Sequence, residues 1–453
     1  MPYAIDLFCG AGGMSEGLLQ AGFHIVYSSD INVDVEKTYV NRHKQLGLIH
    51  GKNTHFQRTD IRDLPSEEIS EAINNLKIFK DKPKPTIDAI FGGPPCQGFS
   101  RAGRRDKDDP RNTLFKEYLR IINDIRPKFV VMENVEGFMD TRLDGFVGVT
   151  GTEYPFKSLV PDILHQEFLQ IGYNTLQPQI LDASDYGVPQ RRKRVIFLAY
   201  LEGEEPPSYP TPITPNEDNK ICVLDAIADL IVDETIKNQL NYINSDYQKN
   251  SQHGRTSHIS GRSLKYDKKI LNHDLSLHSN LVKERFSLFK QGESSSLVMR
   301  RIREDGINIL KYPLLLENCI NKLAGLYNEE EIIHNFSVGN INDEMMNALL
   351  TKKSNRFRLN EETTSPTMVT LPDDYLTPFE NRIPTVREMA RIQSFDDSFE
   401  FLGKRTTGGS RRKVEVPQYT QVGNAVPPLL AKAIGLEIKK ALEKSKNRHY
   451  TLV

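Results

Sequence analysis

Five short runs rich in β-branched and aromatic residues, Tyr3 to Phe8, Phe23 to Ser29, Ile87 to Phe91, Phe129 to Met132 and Arg194 to Tyr200, alternate with stretches of helical periodicity over the first two hundred residues. Strands that alternate with helices pair in a mostly parallel sheet that the helices cover, so the pattern predicts an α/β fold. Such a sheet brings the C-terminal ends of its strands to one edge, and the loops there carry ligands and chemistry.

The richest of those loops is Gly92-Gly93-Pro94-Pro95-Cys96-Gln97-Gly98-Phe99-Ser100, directly after the run ending at Phe91. A lone cysteine is usually a small buried hydrophobe. Here two glycines and two prolines stiffen a loop rather than fill a core, which marks Cys96 as a nucleophile. The run Phe129-Val130-Val131-Met132 leads into Glu133-Asn134-Val135. An isolated Glu at that place is more often a helix cap or a surface ion pair. Paired with Cys96 on a neighbouring strand, it becomes a candidate acid facing the same substrate.

At this point the chain resembles the DNA cytosine-5 methyltransferase family of the bacterial and phage restriction-modification type. The resemblance rests on six blocks in order: Asp6-Leu7-Phe8-Cys9-Gly10-Ala11-Gly12-Gly13, Gly93 to Ser100, Glu133-Asn134-Val135, Gln190-Arg191-Arg192-Lys193-Arg194, Arg387-Glu388-Met389-Ala390-Arg391-Ile392-Gln393, and Gln421-Val422-Gly423-Asn424-Ala425-Val426-Pro427. One block alone could arise by chance; six in sequence do not. The resemblance implies an S-adenosylmethionine-dependent methyltransferase fold, a Rossmann-like mixed and mostly parallel sheet, with a smaller target-recognition domain.

The Gly-rich turn after the first run opens the helix Met14 to Ala21, so its backbone can approach a ligand at a helix N-terminus. Asp30 ends the second strand, where a carboxylate commonly holds ribose hydroxyls; it also suits a helix N-cap. Asp60, with Ile61, follows the third strand and suits an adenine edge. An adenosyl ligand without a phosphate-binding lysine motif suggests S-adenosylmethionine, with S-adenosylhomocysteine as product, and the family implies the same. Phe8 would stack on adenine. Gly10, Gly12, Ile31, Pro95, Leu114, Asn424 and Val426 complete the expected pocket.

Carbon 5 of cytosine is too weak a nucleophile to take a methyl group from a sulfonium directly. Cys96 would add to carbon 6, and Glu133, carrying a proton, would assist at ring nitrogen 3. On the strand that follows Gln190, alternate residues share a face. By resemblance Arg194 points to the cytosine ring oxygen, and Arg192 to a phosphate or to positioning Glu133. The base must leave the duplex to reach such a pocket. Gln97, Ser100, Arg101, Arg104 and Arg105 are expected on the DNA, and the long basic stretch from Ser100 through Arg111 is expected to close over the flipped nucleotide.

The net charge of −1 does not announce a nucleic-acid binder, so the local clusters matter more. Arg300, Arg301, Arg303, Arg356 and Arg358 are candidates for reading bases in the major groove, although such clusters are often only solvated faces. They fall in an irregular stretch rich in Asn, Ser, Lys and Glu, with short helical patterns and no repeat. Three regions are therefore expected: a catalytic and cofactor-binding domain over 1–204, a target-recognition domain over 205–404, and a C-terminal segment over 405–453. The last helix, Pro427 through Leu442, should return to the catalytic domain.

Cys9, Cys96, Cys222 and Cys319 show no paired ligand spacing, which points away from a metal site and toward a reducing compartment. The expected protein is cytoplasmic and monomeric and acts on double-stranded DNA without a membrane or metal; the sequence leaves open whether a cognate restriction endonuclease acts separately beside it. A tRNA cytosine-5 methyltransferase would share Cys96 and Glu133, but the large middle segment and Gly98-Phe99-Ser100 favour DNA. A non-catalytic DNA-binding protein on the same scaffold would have lost the nucleophile or the acid. A thiol hydrolase lacks a local His partner for Cys96.

Overall fold

The computed structural model describes residues 1–95, 114–240, 242–265, 269–351, 355–409, 411 and 414–451. The five expected runs form β1 (Tyr3–Leu7), β2 (His24–Asp30), β4 (Ala89–Gly92), β5 (Phe129–Asn134) and β10 (Lys193–Leu201), while β3 (His55–Arg58) lies at one edge. The small antiparallel pair β6 (Arg142–Leu143) and β7 (Ser158–Leu159) stands apart. Two short strands, β8 (Tyr173–Thr175) and β9 (Gln179–Asp182), both pair with β10.

The main sheet has the order β3-β2-β1-β4-β5-β10-β8. Strands β1 to β5 run parallel, and β10 turns antiparallel against β5. Helices cover both faces, as alternating strands and helices require. Helices α3 (Ser66–Asn74), α4 (Leu114–Ile125) and α5 (Val160–Gln170) bury Ile69, Leu119, Ile122 and Leu164 against Ile5, Ile90 and Val130. On the other face α1 (Gly13–Ala21) sets Met14 and Leu18 against Phe91 and Val131; α2 (Val33–Gln45) flanks β3.

The middle of the chain is helical. It comprises α6 (Val223–Ile227), α7 (Glu234–Leu240), α8 (Asp246–His253), α9 (Asn280–Ser287), α10 (Ser295–Asp305), α11 (Pro313–Leu323), α12 (Glu329–Val338) and α13 (Asp343–Leu350). Helices α9 to α13 share a core of their own, built on Phe286, Val298, Ile302, Leu315, Phe336 and Leu349. A parallel pair of two-residue strands, β11 (Phe357–Arg358) and β12 (Tyr375–Leu376), joins that unit to the rest.

The C-terminal elements are α14 (Val386–Ile392), α15 (Gln418–Asn424) and α16 (Pro428–Thr451). Thr385 caps α14 in a reciprocal box with Glu388. Helix α16 buries Leu430, Ala431, Ile434 and Ile438 with α1 and so returns to the sheet. Gly17 makes that approach possible, because a Cβ there would sit 2.4 Å from the Pro428 carbonyl oxygen.

Packing does not follow the expected boundaries closely. The Pro-rich stretch after Glu204 stays on the sheet: the Tyr209 hydroxyl donates to the Ile196 carbonyl, and the Tyr186 hydroxyl to that of Pro210. At the other end, Val386, Met389 and Phe395 of the region below residue 404 pack with Tyr419 and Val422 beyond it, and with Ala11 of the Gly-rich turn.

Candidate active site

Register fixes the site before any side chain does. Leu7 of β1 pairs with Gly92 of β4, and Gly92 with Met132 of β5. The next residue on each strand is Phe8, Gly93 and Glu133. The Gly-rich turn, the cysteine loop and the carboxylate therefore leave the sheet at one level, as the alternating pattern predicts.

Glu133 continues the alternation Phe129, Val131 on one face of β5 and lies opposite Ile196. Arg194, two residues before Ile196, shares that face, and its Nε donates to the Glu133 carboxylate at 2.7 Å. Both side chains are nearly buried, at 13% and 12% exposure, so each charge relies on the other for compensation. A Cβ at Gly93 would stand 2.9 Å from Glu133 Oε2, so the carboxylate lies directly against the start of the cysteine loop. Asn134 ties the same loop down by donating from Nδ2 to the Pro94 carbonyl at 3.1 Å. Sequence reasoning gave Asn134 no role, although it stands in the same block as Glu133. Cys96 itself lies outside the described residues, as do Gln97, Ser100, Arg101, Arg104 and Arg105; Pro95 is the last residue before them.

Arg192 is buried at 3% exposure and donates to the carbonyls of Met368 and Gly423 at 3.2 and 2.8 Å. Burial, with Arg194 nearby, lowers its pKa well below the usual arginine value. Of its two expected roles, a phosphate contact has no surface to act from here, and Arg192 instead binds β10 to the chain around Met368 and α15. The flanking Gln190 is also buried, accepts from the Met368 N–H at 2.7 Å and donates to Gln393 at 2.8 Å. Three of the six sequence blocks thus meet in one polar node.

The Gly-rich turn is built by backbone geometry. Phe8 and Gly10 have φ of 56° and 52°, and Gly12 has φ of 100°. Asp30 accepts the Gly10 N–H at 3.0 Å and the Asn32 N–H at 2.9 Å, so its carboxylate braces the turn from the end of β2. Burial pushes its pKa up, and those N–H groups moderate the rise. The expected N-cap role falls to the neighbouring Asn32, which caps α2. Ile31 beside it is 62% exposed, an apolar side chain left open at the turn. Gly13 touches the segment after α15, since a Cβ there would meet the Val426 carbonyl oxygen at 2.2 Å. Val426 thereby joins the turn, and Asn424, two residues earlier, is exposed.

Asp60 accepts from Arg62 through both backbone and side chain, and the Arg62 guanidinium holds its pKa below the usual value. Ile61 and Leu114 are nearly buried, at 5% and 9%. Beneath the turn, buried Asp6 accepts from Ser15, whose hydroxyl also meets that of Tyr39 at 2.7 Å. Burial raises the Asp6 pKa to about 7. Among the described residues no group of three or more His, Cys, Asp or Glu is placed to hold a metal ion, and no helix is long and apolar enough to cross a membrane.

The arginines expected to read bases divide sharply. Arg358 is 5% exposed and donates to the carbonyls of Thr377 and Phe286 and to Asn381, so its guanidinium is spent on holding β11 in place. Arg301 is bound by Glu293 and the Leu288 carbonyl. Arg356 donates to the Asp373 carbonyl and lies over the Phe286 ring. Arg303 is partly exposed and paired with Asp343. Arg300 stands exposed on α10. A charge cluster in sequence does not reveal which members face inward.

A sequence model of the family described as "C-5 cytosine-specific DNA methylase" matches residues 3–440. The chain is 30% identical over 443 residues to the Type II methyltransferase M.DdeI of Desulfomicrobium norvegicum, covering 96% of this chain and 88% of that protein. It is 28% identical over 442 residues to the Type II methyltransferase M1.HphI of Haemophilus parahaemolyticus, covering 96% and 86%. Its fold is similar to that of an E. coli prophage-encoded protein described as a DNA modification methyltransferase, with a TM-score of 0.61, 21% identity, and coverage of 98% and 100% of the two chains.

Proposed function

The chain belongs to the C-5 cytosine-specific DNA methylase family, and from that premise we propose how its residues divide the work of methylating carbon 5 of cytosine in DNA. The observation that carries this reading is the common level at which Phe8, Gly93 and Glu133 leave the sheet, with Arg194 locked to Glu133.

S-adenosylmethionine is the cofactor the family implies, and when bound it supplies an electrophilic methyl group. The turn fits it: Asp30 keeps lone pairs beyond those used by Gly10 and Asn32, Phe8 and exposed Ile31 offer apolar surface, and Asn424 with Val426 closes the side near α1. Cys96 adds its thiolate to carbon 6 of the flipped cytosine. Glu133, aimed by Arg194, takes up a proton as the base enters and donates it to ring nitrogen 3, which lets the electron pair reach carbon 5. After methylation, solvent water takes the carbon 5 proton, and the freed pair re-forms the 5,6 double bond as the C6–S bond breaks. Cys96 leaves as a thiolate, and Glu133 recovers the proton from ring nitrogen 3. Asn134 holds the Pro94 carbonyl and so fixes the start of the loop that leads to Cys96.

The biological setting we assign is a Type II restriction-modification system, since relatives of this length carry that description, with a monomeric enzyme in the cytoplasm and no metal requirement. Double-stranded DNA is the substrate, and the α9–α13 unit is the part that selects its sequence. Bisulfite sequencing of DNA from cells that express the protein tests the activity: cytosines protected in one short sequence are expected. Cys96→Ser should abolish both that protection and the covalent adduct with DNA containing 5-fluorocytosine. An undiminished adduct in the variant would overturn the assignment of the nucleophile.

A further inference from the structure

One buried side chain touches all three strand ends from which the site is built. Tyr118 lies in the second turn of α4, is fully buried, and belongs to the cluster on the face opposite Glu133. Its hydroxyl is shared between the carbonyls of Val131, at 2.9 Å, and Ile90, at 3.2 Å. It thereby grips β5 two residues before Glu133 and β4 two residues before Gly92. Its ring is 6.5 Å from that of Phe8, tilted by 49°.

The two glycines before Pro94 now acquire separate reasons. Gly92 and Gly93 face opposite sides of the sheet. A Cβ at Gly92 would stand 2.7 Å from Tyr118 Cε2, and one at Gly93 would stand 2.9 Å from Glu133 Oε2. The root of the cysteine loop is thus held between an aromatic ring on one face and the carboxylate on the other. A hydroxyl donor serving two strand carbonyls inside the core would not be spent there for packing alone, because a Phe or Leu fills such space without a polar group to satisfy. Burial keeps the phenol protonated by raising its pKa far above the usual value, so it remains a donor.

We propose that Tyr118 is a positioning residue for methyl transfer, fixing the cofactor turn at Phe8, the cysteine loop at Gly92 and the carboxylate strand at Val131 in one mutual geometry. This rests on the functional roles given above for Phe8, Cys96 and Glu133. Removing the hydroxyl frees β4 and β5 to shift against each other at their C-terminal ends, and sub-ångström misplacement of reacting groups is costly to rate.

The test is Tyr118→Phe in the full-length protein, which keeps the ring and removes the hydroxyl. Methyl transfer in a single turnover, and the rate of adduct formation with 5-fluorocytosine DNA, should each fall by roughly tenfold or more, while the dissociation constant for S-adenosylmethionine stays within about threefold. A residue that only fills the core would lower the melting temperature and leave the rate per folded molecule unchanged. Full-rate transfer by the variant, measured well below its melting temperature, therefore overturns the proposal. If that variant does not fold, Gly92→Ala presses the same ring from the opposite side and should give the same separation of rate from cofactor binding; an unchanged rate there overturns it equally. Failure of the wild-type protein to methylate cytosine at carbon 5 would instead refute the functional reading and is recorded in the same assay.

Discussion

Glu133 and Arg194 are nearly buried together, so neither can be removed without stranding the other's charge. Arg194→Ala should leave the carboxylate unaimed and slow adduct formation with 5-fluorocytosine DNA by about 100-fold or more, the scale of a lost acid–base group. Stopped-flow or quench kinetics on the purified variant measures it, and a loss under threefold would remove Arg194 from the site. Asp6 makes a different prediction, through pH. Its folded pKa, about 7, lies above its ordinary value of 3.8, so the folded state alone binds this proton between those limits. Stability then falls as pH rises through that window, and the cost is complete above about pH 7. Asp6→Asn removes the titration. Relative to the variant, the wild type should lose stability on the order of 2 to 4 kcal/mol between pH 4.5 and 8. Urea melts at several pH values check this, and parallel curves for the two proteins would contradict it.

Among the elements, the strands that carry the site were legible because each is a buried apolar run, and five of them occur where the alternation predicts. That the ends of the parallel strands meet at one edge followed from the βα pattern, whereas the strand order did not. Apolar runs do not encode direction, so the reversal of β10 against β5 is a finding of the structure alone. Strands β8 and β9 escaped notice because they are short and partly polar. The block around α14 was legible as sequence but not as architecture. Arg391 is buried between Asp397 and Asp229, Arg382 between Glu388 and Glu380, and Arg387 donates to the carbonyls of Asp396 and Phe399. Composition shows the charges and not their partners. Since Arg391 is fully buried, Arg391→Leu would strip Asp229 of its arginine and leave Asp397 only the more distant Arg387 at 3.9 Å, and should destabilise the protein by about 3 to 5 kcal/mol. Calorimetry or denaturant melts would show it, and a change below about 1 kcal/mol would mean that the network carries little net stability.

At the scale of the whole molecule, the chain builds its sheet from the N-terminal elements, packs the C-terminal helix α16 against it, and carries the α9–α13 unit between them. That unit has its own core, whereas Val223, Tyr247 and Met389 pack in a cluster that reaches Ala11 of the Gly-rich turn. The two cores therefore separate along the chain at about residue 280 and again near 350, inside the wider limits suggested by composition, and the proposal that the α9–α13 unit selects the sequence can be tested by exchanging it. Residues 189–192 bind the arm that returns from the unit, through the Arg191 N–H to the Ser365 carbonyl and the Met368 N–H to Gln190. An exchange that spares this arm should keep the catalytic node intact. Replacing residues 280–350 with the corresponding unit of a family member that methylates another sequence should give a hybrid with that member's specificity. Within the native unit, Arg300→Ala should either weaken binding to all sequences alike, as a phosphate contact would, or relax discrimination at one base pair by about 1 to 3 kcal/mol. Mapping methylated sites after bisulfite treatment distinguishes these outcomes. A hybrid that retains the original target would place sequence selection outside the α9–α13 unit.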